Sequence, residues 1–131
     1  MPQSLSQSAK IFLLLGSLAM MIAVGLGAFG AHGLKDRLAA DMLAVYRTGV
    51  EYHVYHALGL LAVGMIAAHL PESDLVKWSG WLMAAGIVLF SGSLYLLALT
   101  GTRWLGAITP VGGAAWIVAW ALLAAAIIKA S

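Results

Sequence analysis

The chain has 131 residues, of which 63% are hydrophobic and 9% charged, with a formal net charge of +2 and no cysteine. So few charges cannot cover a water-soluble domain of this size. A net charge this small, despite a pI of about 9.2, is no footprint for nucleic acid. The missing cysteines exclude disulfides, thiolate metal centres and cysteine nucleophiles.

The apolar residues gather into four runs, Ile11 to Ala31, Val54 to Leu70, Trp78 to Leu99 and Ala107 to Ile128. Each run is close to the ~20 residues an α-helix needs to cross ~30 Å of hydrocarbon. The mean hydropathy of +0.97 agrees. The expectation is an all-α integral membrane bundle of four transmembrane helices in one domain, 1–131. Short connections make it up-down, with a short amphipathic interfacial helix between the first and second spans. No strand signal, linker or internal duplication is visible, so an inverted transporter repeat has no support.

The first helix is predicted to begin after Ser8 and to end at Gly33, where glycine accepts a left-handed C′ conformation. Lys10 before an apolar stretch resembles a signal peptide. The stretch is too long for a signal core and runs through Gly25, Gly27 and Gly30 without a clean cleavage site, so the helix is expected to be retained. Ala19, Ala23, Gly27 and Ala31 recur at every fourth position, a small-residue ladder that lets another helix approach closely.

Residues 34–52 hold most of the charge: Lys35, Asp36, Arg37, Asp41, Arg47 and Glu51. Leu34, Leu38, Met42, Val45 and Gly49 keep one face apolar, which reads as a helix lying in the interface or as an N-terminal extension of the second span. Arg37 with Asp41, and Arg47 with Glu51, are i,i+4 pairs. The second span should stop before Pro71. Ser73 is an N-cap for the third, which Trp78 and Trp81 anchor at headgroup level. Gly101 closes that helix, and Thr109-Pro110 reads as an N-cap and first helical residue for the fourth. Lys129 can snorkel at its exit.

This topology puts one end of each span at a common membrane face, which collects His32, Lys35, Arg37, Arg47, Glu51, Tyr52, His53, Tyr55, His56, Thr100, Arg103 and Thr109. The candidate polar site is drawn from these: His32, Arg47, Glu51, Tyr52, His53, His56 and Arg103. Its densest part is Glu51 to His56, where Tyr52 and His56, and His53 and His56, fall one helical turn apart. Polar groups at that depth need partners, so they are expected to face other helices. They can serve as satisfied packing or as a proton, ion or polar-ligand site. Two imidazoles with Glu51 or His32 can ligate a divalent ion, and His32 with His53 or His56 can hold a haem, but no motif supports either. Neither a metal nor a cofactor is therefore assigned.

In the third span Ser91, Gly92, Ser93 and Tyr95 form a polar belt whose hydroxyls are expected to bond across helices or back to the helix itself. G-x-S-x-G is missing, so no nucleophilic serine and no catalytic residue is assigned. Gly92, Gly112 and Gly113 are assigned to helix packing, as are Ala19, Ala23, Gly27 and Ala31 of the first span.

Taken together, Gly27-Ala-Phe-Gly-Ala-His-Gly-Leu-Lys35, Tyr52-His-Val-Tyr-His-Ala-Leu-Gly-Leu-Leu61, Phe90-Ser-Gly-Ser-Leu-Tyr-Leu-Leu-Ala-Leu-Thr-Gly101 and Ile108-Thr-Pro-Val-Gly-Gly113 resemble one family. It is the set of small membrane proteins of domain of unknown function 423, with bacterial YgdD-like inner-membrane members and relatives of the animal transmembrane protein 256. The resemblance spans nearly the whole chain. It implies a multi-pass bacterial inner-membrane protein of about four helices, and brings no activity, cofactor or catalytic residue.

The sequence thus predicts a non-enzymatic accessory or structural protein of the membrane. Its partners would be the lipid bilayer and, by self-association or within a larger membrane complex, other helices, with no nucleic acid. The alternative is a small transporter or proton-linked carrier using Glu51, His53 and His56. Four positive charges at one face (Lys35, Arg37, Arg47, Arg103) against three at the other (Lys10, Lys77, Lys129) lean toward both termini outside.

Overall fold

A computed structural model describes residues 4–130, and among these it is helical, without a strand. Four helices are long and apolar enough to cross a membrane: α1 (Gln7–Leu34), α2 (Ala40–His69), α3 (Asp74–Thr100) and α4 (Arg103–Lys129). They alternate in direction, joined by short turns.

Helix α1 starts slightly earlier than predicted because Ser6, not Ser8, is its cap; the Ser6 Oγ accepts from the Ala9 N–H at 3.3 Å. Its last turn, Gly30–Leu34, is wound as a π-helix. Gly33 is not the left-handed terminator expected, since Gly101 carries the only positive φ among the described residues. The N–H groups of Arg37 and Leu38 bond back to the Leu34 carbonyl instead, so the chain leaves the helix right-handed.

The interfacial helix does not exist as a separate element. Residues 40–69 form one helix, realising the other reading of the charged segment, an extension of the second span. The reason is register. Buried Leu43, Tyr46 and Gly49 continue at three- and four-residue steps into His53, His56, Leu60, Val63 and Ala67, so one packing face runs uninterrupted and no proline breaks it before Pro71.

Ser73 caps α3 as expected, its Oγ accepting from the Val76 N–H at 3.3 Å. The helix widens into a π segment at Ile87–Ser91 and ends at Gly101, φ 70°. Helix α4 opens with a 3-10 turn, Arg103–Ala107. Thr109 is therefore not a cap: the α-helix grows directly out of that turn, and the Thr109 hydroxyl turns to Ser93 Oγ at 2.6 Å.

Helix α2 is central. Of its most apolar stretch 44% is buried, against 17% for α1. Around it a main core joins Phe12, Leu60, Val63, Met83, Trp116 and Leu123, and a smaller one joins Leu34, Leu43, Tyr46 and Ala98. The outward faces carry Leu14, Met21 and Val24 on α1, Val88 and Leu96 on α3, and Ile117 and Ile128 on α4, all exposed. A continuous apolar exterior of this kind is matched to lipid.

Candidate functional site

The two histidines of α2 sit at the middle of the bundle, not at the membrane face where the hydropathy runs placed them. Because α2 begins at Ala40, His53 and His56 lie near its midpoint. Their neighbours sit at the middle of the adjoining helices: Ala19 on α1, Gly86 on α3 and Trp116 on α4.

His56 is 6% exposed. Its Nδ1 lies 2.8 Å from the Tyr52 carbonyl, which can only accept, so Nδ1 carries the proton. Its Nε2 then accepts from the Trp120 indole N–H at 3.1 Å. Both nitrogens are consumed and the neutral tautomer is fixed. The ring stacks on Trp116, centroids 3.6 Å apart and planes 2° from parallel. Trp116 itself donates its indole N–H to the Met83 carbonyl at 3.1 Å. Gly86 makes the room, since a Cβ there would run into the Trp116 ring. Phe90 and Tyr52 close the cluster at 4.6 Å and 6.1 Å from Trp116.

His53 is equally buried. Its Nδ1 is 2.8 Å from the Tyr95 hydroxyl on α3, so the ring ties α2 to α3. Further clamps follow the same plan, each a side-chain donor on a backbone carbonyl of a neighbouring helix. Tyr46 donates to Leu26 at 2.5 Å, Ser91 to Gly49 at 2.7 Å and Ser79 to Ala119 at 2.7 Å. Helical carbonyls keep a second lone pair, which makes them natural acceptors where water is excluded. Among the described residues no buried side-chain nitrogen or oxygen lacks a partner.

The remaining predicted residues do not join this cluster. His32 and Arg103 are exposed, at the end of α1 and the start of α4. Arg47 and Glu51 are exposed on the outward side of α2, where Glu51 Oε1 accepts from the Tyr55 hydroxyl at 2.5 Å. With Gly27, Gly30, Ala31, Tyr46 and Val50 they line a groove of about 190 Å³ between α1 and α2. Tyr52 is half-exposed. Among the described residues no three His, Asp or Glu side chains gather to hold an ion, and His56 has no lone pair free for a metal or haem iron.

The small residues divide. Ala23 is buried and a Cβ on Gly27 would stand 3.4 Å from Val50, but Ala31 is exposed. The backbones of α1 and α2 approach closely at Gly16 against Leu61 and at Gly64 against Leu13, where a Cβ would stand 2.9 Å from the Leu61 and Leu13 backbone nitrogens, and a Cβ on Gly30 would run into the Tyr46 ring at 2.5 Å. Gly112 presses on the Phe90 backbone and Gly113 lies near its ring, whereas nothing is within 4 Å of a Cβ on Gly92. Sequence reasoning missed Trp116 and Trp120. The signal was available, two indoles one turn apart inside an otherwise aliphatic span.

Four lipid-matched helices joined by buried polar clamps define a multi-pass helical membrane protein. Residues 26–113 match the family described as "Protein of unknown function (DUF423)", and the chain belongs to that family. It is 52% identical over 120 residues to the UPF0382 membrane protein YwdK of Bacillus subtilis, covering 92% of this chain and 98% of that one. It is 54% identical over 114 residues to a UPF0382 membrane protein of Staphylococcus saprophyticus, covering 87% and 93%. No solved structure matches the chain.

Proposed function

We propose that this chain is a non-enzymatic accessory or structural component of the bacterial inner membrane, a rigid four-helix unit that packs against itself or against larger membrane complexes. The observation that carries this reading is the use made of the candidate chemical groups. His56 spends both nitrogens on Tyr52 and Trp120, and His53, Ser79, Ser91 and Tyr46 each bond a neighbouring helix. Groups so engaged give the bundle one packing arrangement and leave no poised acid, base or nucleophile. The test is purification of the full chain in mild detergent followed by mass measurement and identification of co-purifying proteins. Self-association or a membrane-protein partner supports the reading; a bare monomer without any partner defeats it.

One observation favours the carrier alternative: Glu51 lines the groove between α1 and α2 beside Arg47. Against it, Glu51 is exposed whereas His53 and His56 are buried and bonded within the bundle. Flux into liposomes that disappears with Glu51→Gln, and with His53→Ala or His56→Ala, would replace the accessory reading with transport.

A further inference from the structure

We propose that the cavity at the start of α1 binds the headgroup of a membrane phospholipid, one that carries a phosphate and a primary ammonium. This ligand lies outside the accessory reading, because the cavity is built within a single chain.

The cavity measures about 320 Å³ and lies where α1 begins and where the turn after α2 leads into α3. Its walls change character with depth. On α1, Ser6 and Ser8 stand above Ile11 and Phe12; on the α3 side, Glu72 and Lys77 stand above Trp81. Phe12 sets its ring edge-on to Trp81, centroids 5.3 Å apart, and Gly80 leaves room for that ring. The outer end is therefore polar and charged, and the floor aromatic. Trp78 and Trp81 are 62% and 50% exposed, an indole pair at headgroup level. Walls that pass from charge to aromatic within about one helical turn, at the level where headgroups give way to hydrocarbon, match an amphiphile. Its headgroup would lie between Glu72 and Lys77, with the glycerol and first methylenes over Ile11 and Trp81.

Lys77 points to the chemistry. Every other Lys, Arg, Asp and Glu side chain is exposed, and Lys77 alone is half-buried. A lysine held at the cavity wall offers three N–H donors to a phosphate. The Ser6 hydroxyl, which accepts from the Ala9 N–H, keeps its own proton to donate. The carboxylates decide between headgroups. Glu72 shares the cavity with Lys77, and Asp74 shares with it an adjoining hollow bordered by Trp78 and Trp81. Two anions beside one cation disfavour a headgroup whose only charge is negative. A phosphate on Lys77 with an ammonium on Glu72 satisfies both ends. A primary ammonium bonds a carboxylate through N–H, which a trimethylated one cannot.

The test is native mass spectrometry of the full chain, stripped of lipid in detergent. It is titrated with phosphatidylethanolamine, phosphatidylcholine and phosphatidylglycerol of matched chains, and with glycerophosphoethanolamine, the first headgroup without chains. One phosphatidylethanolamine should bind per chain, about tenfold tighter than either other lipid. Lys77→Gln should lower that affinity about tenfold, Lys77→Arg should keep it, and Glu72→Gln should remove the preference over phosphatidylcholine. Lys129→Gln, at the same membrane face, should change nothing. Equal affinity for the three lipids, a preference for phosphatidylglycerol, or undiminished affinity in Lys77→Gln overturns the proposal. So does equally tight binding of glycerophosphoethanolamine, which would make the occupant a soluble phosphate compound. A chain that selects the lipid yet purifies as a bare monomer supports the proposal while defeating the accessory reading. A chain with a protein partner and no lipid preference does the reverse.

Discussion

The His56 imidazole lies flat on the Trp116 indole while its Nε2 accepts from Trp120, one turn further along α4. A single α2 side chain is thus gripped by two rings of α4, and the Tyr52 carbonyl sets its tautomer. Replacing His56 by alanine removes the stack, worth about 0.5–1.5 kcal/mol. It also leaves the Trp120 N–H without its acceptor, at about 1–3 kcal/mol. His56→Ala should lower stability in detergent by about 2–4 kcal/mol and shift the tryptophan emission. His56→Gln, whose side-chain carbonyl can still accept from Trp120, should fall between it and the parent. An alanine variant that unfolds with the parent would mean that the stack holds nothing.

This joint also marks the boundary of what the sequence discloses. Apolar runs, Pro71, Ser73 and Gly101 are local signals, and each lies where its own chemistry requires. The placement of the histidines failed because charge lowers hydropathy without breaking a helix. Asp41, Arg47 and Glu51 hid the fact that α2 begins at Ala40, and the histidines moved from membrane face to midplane. The π segments at Gly30–Leu34 and Ile87–Ser91 leave no periodic trace in the sequence. Pairings like His56 with Trp120 join residues 64 apart and are set by helix order and depth alone. Depth also bears on orientation: with Arg47 inside α2, the positive charges outside the helical cores are three at each face, removing the asymmetry behind the expected outside termini.

Ser79 and Ser91 both belong to α3 but clamp different neighbours, Ala119 of α4 and Gly49 of α2. Neither acceptor is orphaned by losing the hydroxyl, because each carbonyl is helical. Ser79→Ala and Ser91→Ala should therefore each cost about 0.5–1.5 kcal/mol. Since they share no partner, the double variant should show the sum within about 0.5 kcal/mol. Equilibrium unfolding of the two singles and the double decides it; strong coupling would show that the α2–α3 and α3–α4 contacts form as one unit.

Gly101 turns the chain between α3 and α4 at φ 70°, with open space where a Cβ would stand. The cost of a side chain there is conformational, not steric against neighbours. Gly101→Ala should destabilise by about 1–2 kcal/mol, and Gly101→Asn by less, since asparagine tolerates the left-handed region. If both variants unfold alike, the turn conformation is not what limits this corner.

Gly92 and Gly112 separate the two reasons for a glycine inside a membrane helix. A Cβ on Gly112 would meet the backbone nitrogen and Cα of Phe90 on α3, atoms that cannot step aside without moving the π segment that holds them. Gly112→Ala must therefore push α4 away from α3, straining the nearby Trp116–Met83 bond, and should cost about 1–3 kcal/mol. A Cβ on Gly92 meets nothing within 4 Å, and its neighbours Val88, Leu96 and Ile108 line an open apolar groove of about 410 Å³. Gly92→Ala should gain up to about 1 kcal/mol, because alanine is the better helix former and no packing opposes it. Thermal unfolding of both variants in one detergent checks the contrast. A destabilising Gly92→Ala would reveal that the groove is occupied in the membrane, and a neutral Gly112→Ala would show that the α3–α4 contact is looser than the backbone approach implies.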